Sequence, residues 1–128
     1  MTIRRLGVEG GNPLGLPMAP AVRAGDFIFI SGQAALEPDG SVVAGGIAAQ
    51  TRKTIERLIE VLRVADCTLA DVVKATVWIA DARDFAAFNS VFREYFGDHP
   101  PARSTLVSQL VVDAKVEIEL VAYRPLPR

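Results

Sequence analysis

Between Ile47 and Tyr123 the spacing of apolar residues switches repeatedly between the helical and the strand period. That succession constrains the fold more than any single motif does. From Ile47 to Ala65, the residues Thr51, Ile55, Leu58, Leu62 and Ala65 step by four and three, which is one face of an α-helix. Arg52, Lys53, Glu56, Arg57, Glu60 and Arg63 cover its other faces, and Asp66-Cys67-Thr68 ends it. Val72 to Ala80 then alternates, with Val73, Ala75, Val77 and Ile79 on one side and Lys74, Thr76 and Trp78 on the other. A second helix is expected from Asp84 as N-cap to Gly97 as a C′ stop. Its stripe of Phe85, Phe88, Phe92 and Phe96 reads as core. Arg103 to Val107 and Val116 to Tyr123 read as strands, the latter with Val116, Ile118, Leu120 and Ala122 on one face and Glu117, Glu119, Val121 and Tyr123 on the other.

Upstream, residues 1–20 are rich in glycine and proline. They predict a short edge strand from Thr2 to Leu6 followed by a long loop, either a lid or a terminus tied down at its ends. Ala24-Gly25-Asp26 is a turn inside a hairpin whose second strand, Phe27 to Ile30, runs into Ser31-Gly32-Gln33. Pro38-Asp39-Gly40 is a further turn. Two strand–helix–strand units imply crossovers, so the expected architecture is one α+β domain, 1–128, with a mixed sheet and both helices on one face. The opposite face would carry Lys74, Thr76, Trp78, Glu117 and Glu119. A charged face that also holds a large aromatic is expected to meet another subunit, so a closed oligomer follows, with its sites between chains.

Composition narrows the function. Half the residues are apolar and the net charge is −1. No basic run exceeds two residues, which argues against nucleic-acid binding. The single cysteine, Cys67, points to a reducing compartment. No stretch approaches the roughly 18 apolar residues of a membrane span, and no secretory h-region is seen, so the cytosol is the expected location. Cys67 and His99 lack ligand spacing for a metal, and His99 before Pro100-Pro101 reads as a loop residue. What remains is Arg103, entered through two prolines that restrict the chain, and Glu117. If their strands pair, an arginine able to grip a carboxylate and a glutamate able to position water would face one pocket. A structural Arg–Glu pair is the alternative.

Several phrases occur in a familiar order: Val22 and Gly25 before Ile30-Ser31-Gly32-Gln33; Gln50-Thr51; Asp71-Val72-Val73-Lys74; Phe85-Ala86-Ala87-Phe88-Asn89 with Tyr95-Phe96; Pro101-Ala102-Arg103-Ser104-Thr105; and Val116-Glu117-Ile118-Glu119. Over about residues 17 to 124 the chain resembles the Rid family of reactive intermediate deaminases, also called YjgF or, in older labels, L-PSP endoribonucleases. The resemblance implies a chorismate-mutase-like fold, a homotrimer with three inter-subunit clefts, and hydrolysis of reactive enamines and imines such as 2-aminoacrylate to 2-keto acids and ammonia. It implies no metal and no organic cofactor. Arg103 would hold the substrate carboxylate, Glu117 would orient the attacking water, and Ser31, Gly32, Asn89 and Thr105 would line the cleft. Alternatives are a non-catalytic binder of small carboxylates and the ribonuclease of the older label. The chain also departs from the pattern. Pro17-Met18-Ala19-Pro20 stands where many members carry Pro-Tyr-Ser-Gln, so Met18 makes the entrance more apolar. Thr105 stands where many have cysteine, and Leu110-Val111 replaces a customary Leu-Pro.

Overall fold

The computed structural model describes residues 2–127. Strands β1 (Ile3–Leu6), β2 (Ala21–Ala24), β3 (Phe27–Ala34), β4 (Val72–Ile79), β5 (Ala102–Val107) and β6 (Val116–Tyr123) form one sheet, ordered β1-β2-β3-β6-β4-β5. Helices α1 (Ile47–Val64) and α2 (Phe85–Phe96) are the two crossovers. The neighbours are antiparallel except for β4 and β5, which are parallel. The mixed sheet is therefore as the periodicity predicts.

Both helices pack on one face. Ile55, Leu58 and Leu62 of α1 and Phe88, Phe92 and Phe96 of α2 share one buried core with Ile28, Ile30, Ala75, Val77, Ile79, Ile118 and Leu120 of the sheet. Each large side chain removed from water there contributes about 1.5–3 kcal/mol. Strand β6 holds the centre because its inward residues, from Val116 to Ala122, are all essentially inaccessible. The opposite face is uncovered by either helix. Register places Trp78 beside Glu117, Thr76 beside Glu119 and Lys74 beside Val121 on it. Phe27, Phe29, Leu106 and Tyr123 remain 43–50% exposed, and Phe27 meets Tyr123 edge-on at 5.1 Å. Among the described residues, no helix is long and apolar enough to cross a membrane.

Four local readings are corrected. In β4 the buried residue is Val72, while Val73 is 43% exposed. The register shifts between Val72 and Lys74; this bulge turns Val73 away from the face it shares by parity with Ala75. Asp84 precedes α2 but its side chain makes no cap bond. A 3-10 turn, Ala82–Asp84, opens the segment, and it is Asp81 that accepts from the Arg83 amide at 2.9 Å. Gly97 ends α2 at φ −60°, an ordinary right-handed conformation and not the left-handed C′ stop. What glycine provides there is space, since a Cβ would lie 2.6 Å from the Arg93 carbonyl oxygen. Lastly, β5 and β6 do not pair; β4 lies between them.

Candidate active site

That last correction decides where the site residues point. Arg103 is in register with Ala75 and Thr105 with Val77, both fully buried on the helix side of the sheet. Glu117 is in register with Trp78 on the uncovered side. In a single chain the arginine and the glutamate therefore lie on opposite faces of the sheet, and the shared pocket expected from adjacent strands does not form.

The Arg103 half is built against α2. The guanidinium Nη2 donates to Asn89 Oδ1 at 2.8 Å, and its central carbon lies 5.9, 5.3 and 4.9 Å from the ring centres of Phe85, Phe88 and Phe92. Phe92 in turn stacks on Phe96 at 4.4 Å. Ring faces carry negative potential and attract the cation, while desolvation lowers the Arg103 pKa from its usual value; a guanidinium nevertheless keeps its proton in proteins. Among the described residues no carboxylate comes within 4.0 Å of it. Arg103, Asn89, Phe92, Pro100 and Pro101 border a cleft of about 440 Å³. The aromatic stripe thus does two things, core and cradle. The second follows from the β4–α2–β5 crossover, which sets β5 parallel to β4 beneath the helix.

The Glu117 half is built on a break in β3. The β3–β6 register shifts between Ile30 and Gln33, leaving Ser31-Gly32 as a bulge. A Cβ on Gly32 would sit 2.5 Å from a Glu117 carboxylate oxygen, so glycine is what lets the acid lie over the backbone there. Burial, and secondarily the charge of Glu119, raises the Glu117 pKa above the ordinary carboxylate range. The Ser31 hydroxyl is occupied, donating to Ala19 O at 2.6 Å, and the Ser31 amide donates to Pro20 O at 2.9 Å. Ser31 thereby pins the end of the N-terminal loop; Met18, next to the bonded Ala19, is 45% exposed. Of the residues singled out, Asn89, Arg103 and Thr105 lie on the helix side, and Ser31, Gly32 and Glu117 form the other half; Met18 adjoins Ala19, the residue that Ser31 holds.

His99 belongs to neither. It borders a separate, mostly apolar pocket with Cys67 and Tyr95. Cys67 is buried and its thiol pKa is pushed up by desolvation, which makes it a poor nucleophile. No group of three or more His, Cys, Asp or Glu residues among the described residues is placed to hold a metal ion.

A family profile described as Endoribonuclease L-PSP matches residues 16–124, most of the chain and both half-sites. The chain belongs to that family, also known as YjgF or Rid. A RutC family protein of Pyrococcus horikoshii is 44% identical over 114 residues, covering 88% of this chain and 90% of its own. The human 2-iminobutanoate/2-iminopropanoate deaminase is 37% identical over 108 residues, covering 83% and 79%. Among solved structures, E. coli TdcF with bound serine superposes with a TM-score of 0.77 at 34% identity, covering 85% and 89%. The Rid fold accounts for the mixed sheet and the two helices on one face.

Proposed function

We propose that this Rid protein hydrolyses small 2-imino acids to 2-keto acids and ammonia, in clefts that each take Arg103 from one copy and Glu117 from a neighbour in a homotrimer. The observation that carries the reading is the partly desolvated Arg103 guanidinium, held by Asn89 and three phenyl rings at the edge of a cleft, with no carboxylate partner among the described residues. A site of this kind fits a planar carboxylate bidentately. Support for the assembly comes from the uncovered apolar face, which one chain leaves exposed.

Arg103 fixes the substrate carboxylate, and so the adjacent imine carbon. Glu117 accepts a hydrogen bond from a water aimed at that carbon and takes its proton as the C–O bond forms. The π electrons of C=N move to nitrogen, giving a carbinolamine. Proton return to nitrogen and collapse of the C–O–H group expel ammonia and leave the keto acid. The net change is one iminium acid plus one water giving one keto acid plus ammonium. The imine carbon is already electrophilic, so orientation and one activated water suffice and no cofactor is called on. The raised pKa of Glu117 makes its carboxylate a stronger base once ionised. The human relative is a deaminase by name. The ribonuclease reading has little support: the chain has one histidine, a net charge of −1 and a pI near 5.8.

The test is complementation. Arg103→Ala and Glu117→Gln should each abolish ammonia release from freshly generated 2-aminoacrylate. Co-refolded at equal ratio, they should regain about a quarter of the wild-type activity, because each cleft draws its two halves independently from two chains. No recovery would defeat the shared cleft. Unchanged turnover in Glu117→Gln would leave a carboxylate-binding protein whose arginine alone matters.

A further inference from the structure

The cleft beside Arg103 holds a second cation that the deaminase reading does not use. Asn89, Arg93 and Gly97 follow one another at four-residue steps along one side of α2, and all three border the same cleft of about 440 Å³ as Arg103, Pro100 and Pro101. None of these six is acidic. Arg93 has no carboxylate within 4.0 Å among the described residues. The acid next to it in sequence, Glu94, is engaged elsewhere, 2.7 Å from Arg52. Gly97 keeps room for the Arg93 stem, since a Cβ at that position would come within 3.3 Å of Arg93 Cγ. Arg93, which is exposed, and Arg103 therefore border one recess whose lining residues include no carboxylate. Two cations at one recess suit a ligand that carries two negative charges.

Building on the deaminase reading, we propose that the preferred substrates are imino dicarboxylates, with Arg103 taking the carboxylate next to the imine and Arg93 taking the distal one. The spacing along the helix suits such a ligand. Asn89, the anchor of Arg103, lies one helical turn from Arg93, an axial rise of about 6 Å. The carboxyl carbons of a four- or five-carbon diacid are three or four bonds apart at about 1.5 Å per bond. Arg93 would be a specificity residue acting on the distal charge, remote from the reacting carbon.

A basic residue in the last turn of a helix also faces the negative end of the helix dipole. A purely structural Arg93 predicts that Arg93→Gln lowers the melting temperature and leaves selectivity alone. The deciding experiment measures kcat/KM for a monoacid imine (from 2-aminobutanoate) and a diacid imine (from glutamate), each generated in place by an amino acid oxidase. In parallel, calorimetry measures binding of the unreactive 2-oxobutanoate and 2-oxoglutarate. The expected result is a diacid-to-monoacid ratio of about tenfold or more in wild type, for turnover and for binding, falling toward one in Arg93→Gln. A wild-type ratio near one overturns the inference, as does a ratio that survives Arg93→Gln, or inorganic phosphate displacing 2-oxoglutarate at equal concentration. If no imine is turned over, the deaminase reading fails; the keto-acid binding ratio and its response to Arg93→Gln still decide the inference.

Discussion

The two halves of the site are built by opposite means. Arg103 sits on regular structure: an in-register residue of a parallel strand, under a helix whose three phenyl rings and one asparagine fix its head group. Glu117 is itself on a regular strand, but its surroundings are irregular. It lies over a glycine in a bulge, with its carboxylate half-desolvated and raised in pKa. The cation half is preorganised by packing. The acid half is held in a gap that a single methyl group would close. A binding function needs the first kind of construction, because a clamp gains by rigidity. A general base needs the second, because its pKa must be displaced toward the working pH.

The sharpest way to break this contrast is Arg103→Ala. If Arg103 grips a substrate carboxylate as proposed, removing its charge costs about 2–5 kcal/mol of transition-state binding. The loss should fall on ligand affinity and kcat/KM together, and calorimetry with a 2-keto acid checks it. A change below threefold would remove the clamp. Gly32→Ala attacks the other half without touching either charged group. Its Cβ would press on the Glu117 carboxylate, and a displacement of about 1 Å in a reacting group can cost a hundredfold. The expected outcome is a fall in kcat with keto-acid affinity retained. Equal loss of affinity and kcat would place Gly32 with the clamp.

A smaller effect separates cradle from core within the aromatic stripe. Phe85 is 43% exposed while Phe88 is fully buried, yet both face Arg103. Phe85→Leu should leave the melting temperature nearly unchanged and weaken carboxylate binding by about 0.5–1 kcal/mol, the usual value of an exposed cation–π contact. Phe88→Ala should instead destabilise by about 3–5 kcal/mol. Thermal melts and keto-acid titrations on the two variants distinguish the roles.

The same contrast explains what the sequence could disclose. Period and turn chemistry determine which residues are inward, so both helices, the six strands and the uncovered face were legible from Thr51, Val77, Ile118 and their neighbours. Strand order was not. Whether β5 or β4 neighbours β6 depends on long-range pairing, which local spacing does not encode, and that pairing put Arg103 and Glu117 on opposite faces. The bulge at Val73 was hidden for a related reason. Val72 and Val73 are equally apolar, so parity alone cannot say which one turns outward. The caps failed more locally: Asp81 and Asp84 are both good capping residues three positions apart, and only backbone geometry chooses between them. The Arg103 cradle was concealed because the pattern that builds a core also builds a ring-lined clamp.

The smallest effect concerns the energetic consequence of the raised pKa. In the folded chain Glu117 holds its proton more tightly than in the unfolded chain, since burial and Glu119 both disfavour the charge. Its contribution to stability is therefore fully present below the ordinary carboxylate pKa and is lost as pH rises through the higher folded value. The ionised form is a burden on the fold, as expected of the base proposed above. Glu117→Gln removes the charge and keeps the shape, so the inactive variant should melt slightly higher than wild type at pH 7 at equal protein concentration. The difference should shrink as pH falls through the carboxylate range. Melting curves of both proteins from pH 4 to pH 8 test this. A variant that melts lower than wild type at pH 7 would mean that the ionised carboxylate is stabilised by the assembly, as a charge paired across the subunit interface would be, and the gap over Gly32 would then be an ion-pair site.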